Sequence, residues 1–258
     1  MKFFDKFFTV DATKKSIKKI HGDALQAYNK GYILLKIHRF EESIAAYDLA
    51  EQLFEEEIDI LTLQGDHEAA KRSKANVMNI WYSKTYANYM IGRYDASLEL
   101  VEKTLEEAPD NQENLFRKGF VLYKARRYNE ALICLETVLD KYIEFPEAWY
   151  CKGNVLRELG NYEAALEAFD YSISCSQPLH FQFPRFTWIP LTSSSKIKMD
   201  IAEAWYCKGE ILFRKEKYQE SLEAFNKSLE IKPGFEDAAK FRDIVLQELS
   251  KTKNNKED

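Results

Sequence analysis

Apolar and small residues recur along this chain at intervals of three and four, in short runs interrupted by Gly, Asn or Pro, which is the period of amphipathic helices and not of strands. Residues 146–179, PEAWYCKGNVLRELGNYEAALEAFDYSISCSQPL, show it most plainly. Trp149, Gly153 and Leu156 share one stripe, and Tyr162, Ala165 and Phe169 share another. The spacing predicts helices over 147–159 and 162–174, parted at Gly160-Asn161. Two helices of this size cannot bury both stripes by themselves, so they need neighbours built the same way.

The rest of the chain supplies them. Asp23 reads as the cap of a helix over Ala24–His38, with a short helix before it ending at Ile20 and Asp11 or Thr13 as its cap. A helix from Phe40 has nothing to stop it before Gln64-Gly65, and Asp66 caps the next, which runs to Ile91. Tyr94–Ala108, 112–125 with 128–141, and 201–215 with 218–231 follow. A last helix over 235–249 turns Ala238, Phe241, Val245 and Leu249 to one side and charges to the other, as a terminal cap should. Aligning Phe40, Tyr94, Tyr128, Tyr162 and Tyr218 places unit starts at Ala24, Met78, Gln112, Pro146 and Ala202, separated by 54, 34, 34 and 56 residues.

The 34-residue period and these residues resemble the tetratricopeptide repeat, W-x2-L-G-x2-Y…A-x3-F…P. Trp149, Gly153, Leu156, Ala165 and Phe169 follow the pattern, and Trp205, Gly209, Leu212, Ser221, Phe225 and Pro233 follow it again. The unit from Gln112 keeps Gly119, Leu122 and Ala131, with Leu115 for Trp and Leu135 for Phe. The unit from Met78 keeps Trp81 and Pro109 but has Thr85 for Gly, and the unit from Ala24 keeps Gly31 but has Ala27 for Trp. The resemblance implies an all-α, right-handed superhelical solenoid of antiparallel helix hairpins. Five units lie within 24–234 (24–57, 78–111, 112–145, 146–179 and 202–235), with a helical extension at 58–77 and an aromatic, non-helical insertion at 180–201. A basic, Phe-rich segment over 1–23 precedes them; a capping helix over 235–250 and a disordered tail over 251–258 follow.

In this family the first helices of successive units line a concave groove that holds a segment of a partner. The resemblance therefore assigns a groove ladder to Tyr28, Tyr82, Phe116, Tyr150 and Tyr206. One turn on, Tyr32, Tyr86 and Phe120 stand where the family favours Asn, and Asn154 and Glu210 follow; Leu35, Tyr89, Tyr123 and Phe213 extend the face. Early units are thus aromatic, and later ones turn polar through Glu147, Asn154, Glu203 and Glu210. Rings with a polar tip suit protein interfaces, although they could equally pack on one another. The basic clamp by which one subclass grips chaperone tails is missing, since Tyr28, Tyr32, Tyr82, Tyr86, Phe116 and Phe120 fill those places.

Composition narrows the remaining classes. A net charge of −5 and the absence of a basic footprint disfavour a nucleic-acid partner. Cys134, Cys151, Cys175 and Cys207 show no metal-ligand spacing and read as small residues of a reduced helical core. His21, His38, His67 and His180 are scattered, and no nucleophile, phosphate-loop or zinc motif occurs, so no cofactor, no metal and no enzyme are expected. Glu55, Glu56, Glu57 and Asp59 read as a solvated face. Without a leader or spanning run, cytoplasm is the default compartment.

Two segments fall outside the repeat. The insertion carries Phe181, Phe183, Phe186 and Trp188, with Pro184 and Pro190 forbidding helix; it reads as a groove plug or part of the binding site, with a dimerisation arm as the alternative. Phe3, Phe4, Phe7 and Phe8 form a stripe among lysines that reads as a cap on the first exposed face, or alternatively as a membrane-surface adaptor. The expected function is a non-enzymatic scaffold for a protein or peptide ligand. A self-assembling homo-oligomer and a peripheral membrane adaptor are the alternatives.

Overall fold

The computed structural model describes residues 10–175 and 201–254, with side chains for 16–175 and 201–252. The described residues form eleven α-helices and no strand. They divide at Asn114 and Leu115 into two compact units, each treated by itself below.

The first unit holds α1 (Val10–Lys36), α2 (Phe40–Leu63), α3 (His67–Met90) and α4 (Tyr94–Glu107), each packed on the next. Three of these helices, at 24–27 residues, run far past the 13–14 residues of α4 and of the helices at repeat spacing below, and the excess is shared. The separate helix expected before Ala24 does not exist: α1 passes unbroken through Asp23, which caps nothing, and Asp11 and Thr13 lie inside its first turns. Gly22 is the weakest helix former on the way, and the extra turns of α2 and α3 give this end of α1 a surface to pack on. Phe54 is fully buried there, edge-on to His21 with ring centroids 5.9 Å apart. Glu57 corrects the expected solvated acidic run. It is 4% exposed, its carboxylate lies 3.0 Å from His21 Nδ1, and it accepts from Ser73 Oγ at 2.9 Å. One carboxylate therefore ties α1, α2 and α3 together.

The second unit contains α5 (Gln112–Lys124, its first turn reaching into the first unit), α6 (Tyr128–Lys141), α7 (Pro146–Glu158) and α8 (Tyr162–Cys175). It continues with α9 (Ile201–Arg214), α10 (Tyr218–Ile231) and α11 (Glu236–Asn254). From α6 to α11 each helix packs on its successor. The last helix runs to Asn254, so residues 251–254 of the expected disordered tail are helical; nothing between Leu249 and Asn254 is a Pro or Gly that would end it.

Paired helices meet where the first has no side chain. A Cβ on Gly153 would lie 2.7 Å from Phe169 Cε1, and one on Gly209 would lie 2.7 Å from Phe225 Cε1. Gly31 faces the ring of Tyr47 in the same way. Where Thr85 replaces the glycine, the facing residue shrinks to Val101, and both stay buried. Three serines add a rung at this contact: Ser43 donates to the carbonyl of Gly31 at 2.7 Å, Ser97 to Thr85 at 2.9 Å and Ser221 to Gly209 at 2.8 Å.

The turns inside the hairpins share one geometry, in which two backbone N–H groups return to the last helical carbonyls. Arg93 N reaches Asn88 O at 2.8 Å and Gly92 N reaches Tyr89 O at 3.0 Å; Asn161 and Gly160 repeat this on Leu156 and Arg157. The middle residue is left-handed, with φ of 76° at Gly92 and 79° at Gly160. His38, Arg126 and Glu216 hold it at φ of 61°, 59° and 60° without being glycine.

Candidate functional site

In the first unit, the inner residues of α1 and α3 are tyrosines set on a largely apolar floor. Tyr28 and Tyr32 of α1 and Tyr86 of α3 pack against a core containing Leu35, Tyr47, Phe54, Ile80 and Ala87. Tyr28 meets Tyr47 edge-on at 5.7 Å, and Lys36 Nζ stands 5.6 Å over the ring of Tyr32. A continuous run of rings follows: His38 to Phe40 at 5.6 Å, Phe40 to Tyr86 at 6.2 Å, Tyr86 to Tyr89 at 6.4 Å and Tyr89 to Tyr94 at 6.2 Å. The five tyrosines of this run and its α1 neighbours are half-buried, neither sealed in the core nor free in solvent. Burial, reinforced by a neighbouring phenol at Tyr28 and Tyr89, raises the hydroxyl pKa of Tyr28, Tyr86 and Tyr89, so these hydroxyls stay protonated donors. The hydroxyl of Tyr82 accepts from Asn114 Nδ2 at 3.3 Å.

The second unit uses the corresponding places differently. Tyr150 donates to Glu203 Oε2 at 3.1 Å, Cys207 Sγ donates to Asn154 Oδ1 at 3.7 Å, and Arg157 donates to Glu210 Oε2 at 2.7 Å. These three rungs join α7 to α9. Asn154 is 5% exposed and also bonds the carbonyl of Tyr150 at 3.1 Å. The polar residues expected to open this face to a ligand therefore hold neighbouring units together. Burial pushes the thiols of Cys151 and Cys207 up to about 12, and Arg157 lowers the latter only in part. Burial also raises Tyr150, and it raises Tyr123 to about 12. Phe116 is 5% exposed and packs on Phe145 with centroids 5.1 Å apart, while Lys124 Nζ stands 5.3 Å over Phe120 and 5.0 Å over Tyr123. Tyr206 sits among Phe225, Phe235 and Phe241, 5.1 Å from Phe235, as the seat of α11. The insertion residues Phe181, Phe183, Phe186 and Trp188 lie outside the described residues, as do Phe3, Phe4, Phe7 and Phe8.

One recurring device was not read from the sequence. In three hairpins a lysine near the middle of the first helix reaches back to an acid on the preceding second helix: Lys84 to Asp48 at 2.6 Å, Lys152 to Glu136 at 3.0 Å, and Lys208 to Asp170. Two of these lysines also lie over the ring of the tryptophan three places before, Lys152 at 5.4 Å from Trp149 and Lys208 at 4.7 Å from Trp205. The constant place of Lys30, Lys84, Lys118, Lys152 and Lys208 within the units is the signal that could have revealed it. Among the described residues no group of three His, Cys, Asp or Glu side chains could hold a metal ion, and no helix is long and apolar enough to cross a membrane.

Stacked antiparallel hairpins, with glycine at every close contact but the one at Thr85, define a helical-repeat solenoid. Tetratricopeptide-repeat profiles match residues 116–178 and 202–235, and the chain is a tetratricopeptide-repeat protein. Among solved structures it is similar to YrrB, a TPR protein with an unusual peptide-binding site, at 20% identity over 88% of this chain and 96% of that one, with a TM-score of 0.52. It is also similar to MamA, residues 41 to the end, from Desulfovibrio magneticus RS-1, at 18% identity over 83% and 97% of the two chains, with a TM-score of 0.56. No curated protein sequence matches it. At these identities the likeness concerns the fold. Proteins of this repeat class generally mediate protein–protein interaction.

Proposed function

We propose that this chain is a non-enzymatic interaction scaffold that holds a peptide segment of another protein against the tyrosine-lined face of its first unit. The observation that carries this reading is the run of half-buried rings from Phe40 through Tyr86 and Tyr89, beside Tyr28 and Tyr32. Tyrosines of this kind offer large contact area at low entropic cost, and their neutral hydroxyls can donate to peptide carbonyls. The second unit supports the assignment by contrast, since its equivalent polar groups already bond one another. Its role in this reading is to extend the scaffold.

The test is selection of binding peptides from a random displayed library on the purified full chain, followed by affinity measurement on variants. Tyr32→Ser and Tyr86→Ser should each weaken the selected peptides about tenfold, the scale of interface anchor residues, with helical content unchanged. Peptides whose affinity ignores both substitutions but depends on Tyr150 or Tyr206 would move the site to the other unit and sink the proposal.

A further inference from the structure

The first helices share one buried edge, and α1 leaves it bare. In α3, Ile80, Ser83 and Ala87 are each fully buried, with Ile80 and Ala87 in the core that also holds Tyr47 and Phe54 of α2. In α9, Ala204, Cys207 and Ile211 are 0–5% exposed in a cluster with Phe169 and Ile173 of α8, and Leu166 lies against it. In α7, Ala148, Cys151 and Val155 are 0–3% exposed. The matching residues of α1 are Gln26, Asn29 and Ile33, and all three are exposed, Ile33 at 59%, with Ile37 one turn on at 55%.

The lysine of the recurring device is present there too. Lys84, Lys152 and Lys208 each pair with an acid of the helix before, and Lys30 holds the same place on α1, exposed, with no hydrogen-bonding or ion-pair partner among the described residues. Thus α1 displays the whole register that receives a second helix elsewhere in this chain: small polar residues, a lysine and a branched apolar residue. Lys19 and Asp23, also exposed, flank it toward the N-terminus.

We propose that this edge of α1 docks an amphipathic helix of another protein that carries an acid opposite Lys30. The chain's own second helices give the recognition pattern. Two of them, α6 and α8, present a large apolar residue, an acid directly after it, and an apolar residue three places beyond the acid: Leu135, Glu136 and Leu139 in α6, and Phe169, Asp170 and Ile173 in α8. The acid meets Lys30, and the apolar residues cover Ile33 and Ile37, whose exposure a solitary helix surface leaves uncompensated. This surface is distinct from the tyrosine face, and Lys30 sets the charge requirement on the partner.

The probe is a helix-stabilised synthetic copy of residues 162–175, titrated by fluorescence anisotropy against the full chain. Saturable binding is expected, weakened about tenfold or more by Ile33→Asp and by Lys30→Glu. A probe with Asp170→Lys should invert the order and prefer the Lys30→Glu chain over the wild type. Tyr86→Ser should leave all these affinities unchanged, which separates this edge from the inner face. Ile33→Ser, milder and on an exposed helix surface, guards against a folding defect in Ile33→Asp. No saturable binding, or binding indifferent to both Lys30→Glu and Ile33→Asp, overturns the proposal. A dimer in sedimentation that Ile33→Asp abolishes would assign the edge to a second copy instead. Binding that appears only after residues 1–9 are removed would assign it to the chain's own N-terminal segment.

Discussion

At Gly153 a single methyl would stand 2.7 Å from the ring of Phe169, closer than carbon atoms pack, and Phe169 has no exposed surface through which to yield. The same contact is solved in the reverse sense at Thr85, where the side chain is present and Val101 opposite it is small. Volume across the pair is therefore what the fold holds constant, and glycine is one way to do so. Gly153→Ala should cost about 1–3 kcal/mol, the range for overpacked cores, read as a lower midpoint in urea. The pair Gly153→Thr with Phe169→Val should recover part of that loss, because it copies the Thr85 and Val101 solution. If the double variant is as unstable as the sum of its parts, the two residues do not form a unit and the volume argument fails. This level was legible in the sequence where Gly31, Gly119, Gly153 and Gly209 align, whereas the compensation at Val101 was not, because a lone Thr for Gly gives no sign of what faces it.

Single helices were legible through their stop signals: Gly65, Gly92 and Gly160 mark turns that the backbone makes with left-handed φ. The start of α1 was not, since Asp23 before an apolar run has the chemistry of a cap whether or not the chain is already helical. Packing decided it, through extra turns of α2 and α3 whose partner is the N-terminal half of α1. Glu57 is the tie in that extension, accepting from Ser73 at 2.9 Å and pairing with His21 at 3.0 Å. Glu57→Ala would leave the buried Ser73 hydroxyl without its acceptor and should cost about 1–3 kcal/mol. Glu57→Gln keeps an acceptor and should cost less. Hydrogen exchange locates the effect: amides of residues 16–24 should lose protection in Glu57→Ala, while those of α9 should not. Unchanged exchange in α1 would show that apolar packing on Phe54 alone holds this end.

Over the whole molecule, the two units face alkali with different groups, and this gives the array a predictable upper pH limit. Cys151 and Cys207 lie in the second unit with burial pushing their thiols up to about 12 from an ordinary 9.0. Tyr123, in the same unit, rises to about 12 from 10.0. A folded-state pKa above the unfolded one means that the folded chain keeps its proton while the unfolded chain releases it. The resulting stabilisation is complete below pH 9 and drains away as pH climbs from 9 toward 12. The first unit has raised tyrosines but no cysteine, so its loss starts only near 10.0, where tyrosine ionises in an unfolded chain. Such polar interiors are invisible to a periodicity argument, which found the place of Cys151 and Cys207 in the repeat but not the Asn154 and Arg157 neighbours that set their surroundings. Urea midpoints should be flat from about pH 7 to pH 9 and then fall. In a Cys151→Ala, Cys175→Ala, Cys207→Ala triple variant, which removes every thiol that burial raises, the onset should move up toward pH 10. An onset that stays at pH 9 without these thiols would mean that other groups govern the alkaline limb.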